Sequence, residues 1–368
     1  MFVAWRDLRF ARGRFLLIGS VVALITVLVG FLAGLTGGLA AQNVSAVLAL
    51  PGDRLVLQQP SGGQPSFSTS GVGREARADW RASAGVERVV PVGILQGRAA
   101  RGGESGAGAG SGSGSAVGVA LFGLPPSDDG AVARLAPERD GDVGLSSGAA
   151  HDLGVRTGDR VTIAGATFTV ATVGDDLWYS HTPVVTMTPT AWAQADRRLG
   201  GDGDPTVLAV TGQPDWAAVA DRTHTSAATP LGSLTALETF RSEIGSLGLM
   251  IVMLFGVSAL VVGAFFTVWT MQRAGDVAVL KALGASTPSL VRDALGQALV
   301  VLVLGIGVGT ALVVGLGVLA GGALPFLLSP LTTLVPGAAM ALLGLAGAAV
   351  ALRTVTAADP LTALGSNR

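Results

Sequence analysis

The sequence contains no cysteine. Disulfides, thiolate metal sites and a cysteine nucleophile are therefore excluded, and any domain outside the cytoplasm must hold together by packing alone. Lysine is nearly as scarce, and Lys281 is the single example. A phosphate-binding loop of the G-x-x-x-x-G-K-[ST] type needs a lysine that reaches the nucleotide phosphates. The residues before Lys281 are Ala274-Gly275-Asp276-Val277-Ala278-Val279-Leu280, so the chain has no such loop and any ATP hydrolysis must come from another chain. Charge is sparse as well, with 13% of residues charged against roughly a quarter in soluble domains. Net charge is −1, which leaves no electrostatic footprint for a nucleic-acid partner. The H-E-x-x-H pair of zinc hydrolases is missing too. His151, His181 and His224 read as surface histidines, and the acid pairs Asp128-Asp129 and Asp175-Asp176 read as solvated turns. Nothing in the chain points to an enzyme acting by itself or to a metal site.

What the chain has in abundance is apolar sequence, 49% of residues with a mean hydropathy of +0.58. The first apolar run, 15–38, is roughly 35 Å long as a helix, enough to cross a ~30 Å hydrocarbon core. It exceeds the ~7–15 residues of a signal-peptide core and reads as a retained span. Arg6, Arg9, Arg12 and Arg14 precede it and predict a cytoplasmic N-terminus. Residues 1–14 form a basic amphipathic segment with Phe2, Trp5 and Leu8 suited to lipid. Further spans are expected at 244–270, 294–320 and 336–353. Between them lie a cytoplasmic loop, 271–293, with Arg273, Lys281 and Arg292, and an uncharged outer loop, 321–335. A tail, 354–368, then returns to the cytoplasm.

Residues 39–243 contain no span-length run. Strand-like pieces fall at 54–57, 86–95, 117–124, 160–173, 183–187 and 206–211. Helices are expected at 71–84, 130–136, 146–153, 189–199 and 213–222. Residues 159–170 read as a hairpin about a Gly-containing turn, and the Gly/Ser tract 102–116 reads as a flexible loop. The fold class expected is therefore integral membrane α-helical, with four transmembrane helices and a large α+β extracytoplasmic domain inserted between helices 1 and 2. Gly30, Gly34 and Gly38 make one ridge on the first span, and Gly305 and Gly309 do so on the third. Small residues at this spacing let helices pack closely.

The segment 273–286, R-A-G-D-V-A-V-L-K-A-L-G-A-S, has apolar Val277, Leu280 and Leu283 at helical spacing, polar flanks at Arg273, Asp276 and Lys281, and Gly284 to end the helix. Such a short exposed helix suits docking into a partner's groove. This segment resembles the signature of the FtsX/MacB-type permease family, with Asp276 where Glu is usual. Asp359-Pro360-Leu361-Thr362-Ala363-Leu364 resembles the family's ending, Ala4-Trp5-Arg6-Asp7-Leu8-Arg9 its basic start, and 143–159 its outer-domain core segment. The compact architecture is most similar to the HrtB branch of haem-efflux permeases. The resemblance implies the permease subunit of an ABC-type exporter in the cell membrane. It would pair with a second permease copy, as a homodimer, and with two copies of a separate ABC ATPase that alone binds ATP. Asp276, Leu280, Lys281, Leu283, Gly284 and Ala285 would form the coupling surface. No tightly bound cofactor is implied, and haem or a similar amphiphile would be the cargo. Glu243, Met250 and Met253, with Glu238, are the candidate substrate-binding residues at the head of the second span. A carboxylate beside a lipid-embedded wall tends to be functional, and carboxylate and thioether groups are both iron ligands. The competing reading within the family is a mechanotransmitter that activates a cell-wall hydrolase and transports nothing.

Overall fold

The computed structural model describes residues 12–102, 116–272, 286–320 and 324–356, together with Gly275, Val279 and Gly284. The amphipathic start, the core of the Gly/Ser tract, most of the coupling segment and the D-P-x-x-A-L ending fall outside the described residues. The chain divides into two units. Leu39–Gly245 is one, and the flanking sequence on both sides makes the other.

In chain order, α1 is Arg12–Leu48. It is followed by β1 Arg54–Gln58, α2 Arg74–Ala82, β2 Val86–Arg101, β3 Val117–Gly123, α3 Ala131–Leu135 and β4 Asp142–Ser146. Then come α4 Ser147–Leu153, β5 Arg160–Ile163, β6 Ala166–Gly174, β7 Trp178–Tyr179, β8 Thr182–Met187 and α5 Pro189–Arg198. The unit closes with β9 Val207–Gly212, α6 Trp216–Arg222, β10 Thr225–Ala228 and the short α7 Pro230–Ser233. Three long helices end the chain: α8 Glu238–Gln272, α9 Thr287–Ala320 and α10 Pro330–Thr356.

The 39–245 unit is built on one long strand. The first half of β2, from Val86 to Val92, pairs with β9 and joins an open wing of order β10–β1–β9–β2. Its second half, from Gly93, pairs with β3, and its last residues pair with β5. The order β2–β3–β8–β4–β6–β5 thereby closes on itself, with β3/β8 and β4/β6 parallel. Closure leaves this half without a free edge. Its interior holds Leu121, Leu145, Ile163, Met187 and Trp192. The wing buries Trp80 against Val56 and Leu208 on one face, and Leu55 and Leu57 on the other.

Local chemistry places the short elements. Ser146, Thr188 and Asp215 each cap a helix by accepting a bond from the backbone N–H three residues on. The β5–β6 hairpin turns at Ala164-Gly165, both at positive φ, the backbone that a two-residue turn requires. The expected strands and helices of this region are present. The strands β4, β7 and β10 are additions, short segments without a sustained periodic signal.

Among the described residues, four helical segments are long and apolar enough to cross a membrane: Phe15–Leu48, Glu238–Gln272, Thr287–Ala320 and Pro330–Val350. Ile18, Val22, Val262, Phe266, Leu302 and Ala348 form the core of the flanking unit. The helices run beyond the apolar runs. α1 continues to Leu48, α8 begins at Glu238 and α9 at Thr287. The last six residues of the loop expected at 321–335 are helix, because Ser329 caps α10 by accepting from Thr332 N–H and Pro330 follows at the first helical position.

Candidate functional site

The two ends of long helix that lie within the 39–245 unit are tied together through a hairpin. β7 and β8 are joined by a two-residue turn, Ser180-His181, with φ of 50° and 63°. Positive φ is costly for residues with a side chain and persists where the surroundings enforce it. Here the N–H groups of Ser180 and His181 donate to the Asn43 and Gln42 carbonyls of α1, at 3.0 and 3.1 Å. Asn43 is fully buried, and its Nδ2 donates to Glu243 Oε2 at 3.1 Å. Thr239 Oγ1 donates to Asn43 Oδ1 at 3.0 Å and lies 2.8 Å from Ser180 Oγ. His181 Nε2 is 2.6 Å from the other Glu243 oxygen. Ser45 Oγ accepts from Trp178 N–H at 2.9 Å. The result is a polar knot in which α1, the hairpin turn and α8 share one set of hydrogen bonds. Asn43 is its buried centre, and the side chains of His181 and Glu243 are half-buried around it.

Beside the knot is an open groove of about 890 Å³, lined in part by Tyr179, Ser180, Glu238 and Thr239. Glu238 accepts from Ser66 Oγ at 3.2 Å. Burial pushes the Tyr179 phenol well above its usual range, and the Glu238 carboxylate adds to the rise, so Tyr179 is neutral here.

The expected substrate residues are thus divided. Glu243 belongs to the knot and Glu238 to the groove, while Met250 and Met253, further along α8, are both exposed. His181, read from sequence as a surface histidine, is half-buried and paired with Glu243. Of the coupling residues, Asp276, Leu280, Lys281, Leu283 and Ala285 lie outside the described residues, and Gly284 sits at φ 95°. All five ridge glycines are in close contact within their own unit. A Cβ at Gly38 would lie 1.8 Å from the Pro325 carbonyl oxygen, and one at Gly34 would strike the Phe326 ring. Gly30 faces Val313, Gly305 faces Val22, and Gly309 faces Thr26.

Residues 248–360 match the family model described as FtsX-like permease C-terminal. The chain carries an FtsX-like permease domain. The chain is 22% identical, over 99% of its length and 99% of the other's, to a Staphylococcus haemolyticus protein named as a hemin transport system permease protein, HrtB. It is 26% identical, over 99% of both chains, to an uncharacterised ABC transporter permease of Mycobacterium bovis. Among solved structures, the periplasmic region of MacB from Actinobacillus actinomycetemcomitans aligns at a TM-score of 0.32 and 9% identity, covering 50% of this chain and 92% of that one. The extracellular domain of YknZ aligns at 0.29 and 14%, covering 46% and 87%.

Sequence reading missed Asn43, Ser180 and His181 as members of this knot. Asn43 was legible in part: it is a polar residue in a run of small and apolar ones near the end of α1. Ser180 and His181 carried no local signal, because their partners lie far along the chain.

Proposed function

We propose that this chain is the membrane subunit of an ABC-type efflux pump that exports haem or a similar amphipathic compound, driven by a separate ATPase. The observation that carries the reading is likeness over essentially the whole chain to a permease named for hemin transport, together with an FtsX-like domain at 248–360. The missing phosphate-binding loop assigns ATP hydrolysis to another subunit. In this reading both termini are cytoplasmic and residues 39–245 lie outside. Two permease copies meet about a two-fold axis, and an ATPase docks at 273–286. The polar knot fits a pump, because rigid hydrogen bonding between the ends of the first and second spans passes their movement to the outer domain. It also sets an imidazole, the commoner haem ligand, beside the carboxylate expected to grip the cargo.

The purified chain alone should turn over no ATP, and should gain turnover with its ATPase subunit. Leu280→Asp and Gly284→Trp should abolish co-purification of that subunit while leaving membrane insertion intact. Undiminished co-purification of both variants would remove the docking assignment. Haemin titrated into the solubilised protein should give a saturable Soret shift that weakens in Glu243→Ala, His181→Ala and Met250→Ala. An identical, unsaturable signal in all four proteins would exclude haem and leave an exporter of another amphiphile.

A further inference from the structure

Both oxygens of Glu243 are engaged in the polar knot. Oε1 lies 2.6 Å from His181 Nε2, and Oε2 accepts from Asn43 Nδ2 at 3.1 Å. The Glu243 side chain is half-buried, and Asn43 beside it is fully buried. A ligand that takes this carboxylate therefore competes with a partner already in place on each oxygen. Asn43 ties the carboxylate to the rest of the knot. Its Oδ1 accepts from Thr239, whose hydroxyl also lies 2.8 Å from Ser180 Oγ. Withdrawing Glu243 takes a partner from a buried amide, a loss that the linked bonds share.

A second observation comes from the backbone. Ser180 and His181 are the central residues of the β7–β8 turn, and both stand at positive φ, 50° and 63°. Two-residue hairpin turns with this backbone favour Asn-Gly or Asp-Gly, which reach positive φ at little cost. Ser-His lacks that ease. Its φ values are enforced by contacts instead: the two N–H groups on the Asn43 and Gln42 carbonyls, the Ser180–Thr239 pair and the His181–Glu243 pair. A turn held by its contacts rather than by its own preference loosens when a contact is lost. The same dipeptide that strains the turn sets the imidazole on Glu243.

We propose that the knot is an autoinhibitory clasp: closed, it shields Glu243 from ligands, and a ligand that takes Glu243 opens it and frees the first turns of α8 from the end of α1. Ligand binding and release of the helix ends are then coupled, each favouring the other. The shielding stands on the geometry alone. That the ligand is the exported cargo rests on the exporter reading.

The test uses the full chain in lipid nanodiscs and a carbodiimide, with labelling of each carboxyl read by peptide mass spectrometry. Glu238 is exposed on the same helix and serves as the internal reference. Asn43→Ala removes the centre of the clasp. Thr239→Val keeps the shape of the side chain and removes the hydroxyl that bonds Asn43. Ser180→Asn/His181→Gly supplies the dipeptide that the turn prefers and removes the imidazole, so the clasp opens without loss of the hairpin. The Glu243-to-Glu238 labelling ratio should rise about tenfold in Asn43→Ala and in the turn variant, and about threefold in Thr239→Val. Unchanged melting temperatures keep the comparison valid. A wild-type ratio in all three variants overturns the clasp. Haemin titrated into wild type and Asn43→Ala then separates clasp from cargo. Binding at least about fivefold tighter in Asn43→Ala supports the coupling, and equal saturable binding overturns it. No saturable binding in either protein removes haem from the exporter reading, while the labelling ratio alone decides the clasp.

Discussion

The two units use apolar residues in opposite ways. In the 39–245 unit the large apolar side chains turn inward: Leu55, Leu121, Phe122 and Leu208 are all fully buried. In the flanking unit the four apolar helices bury only 17–33% of their most hydrophobic windows, and Leu260 is 73% exposed. A water-soluble unit cannot present such a surface, whereas lipid tails are as apolar as leucine and exert no drive to bury it. Contacts within the flanking unit therefore rest on shape, and glycines supply the shape. Gly38 approaches the Pro325 carbonyl more closely than any side chain would allow. The hydrophobic effect organises one unit, and close backbone packing organises the other.

Four substitutions break or sharpen this contrast. The largest loss is expected from Phe122→Ala, which empties a fully buried site at the centre of the β-sheet unit. It should cost about 3–5 kcal/mol, read as a fall in that unit's denaturant midpoint. Next is Leu260→Arg, on the exposed surface of α8. Measured by membrane insertion, it should cost about 2.5–3.5 kcal/mol, because the residue faces lipid. Insertion equal to wild type would show that this face of α8 meets water or protein. Gly38→Ala should cost about 1–3 kcal/mol by overpacking, seen as a lower melting temperature in detergent. The smallest effect belongs to Leu199→Arg, at 55% exposure in the β-sheet unit. It should lie within about 0.5 kcal/mol of wild type. Leu199 and Leu260 are both exposed leucines, so the pair isolates the solvent each unit meets.

Which helices are long and apolar enough to cross a membrane, and most of the strands and helices between them, were written in local periodicity and composition. These are short-range properties, set by the 3.6- and 2-residue repeats and by the length of an apolar run. The helix ends were less legible. Polar residues such as Asn43 and Glu243 interrupt the apolar run without ending the helix, so α1 and α8 extend past the hydropathy boundary. The candidate site was half legible. Glu238 and Glu243 were visible as carboxylates beside an apolar wall, but the sequence held no sign that one would line a groove and the other close a hydrogen-bond knot.

By itself, the sequence determined that the described residues include four lipid-compatible helices and an α+β region, because each depends on residues counted or spaced along the chain. Only tertiary structure decided that Asn43, His181 and Glu243 meet, and that four carboxylates line one groove. Ser180 and His181, 137 and 62 positions along the chain from Asn43 and Glu243, are brought to hydrogen-bonding distance of them by the strand pairing of a closed sheet. That pairing is the sum of many weak, long-range contacts, and no local window of the sequence contains it.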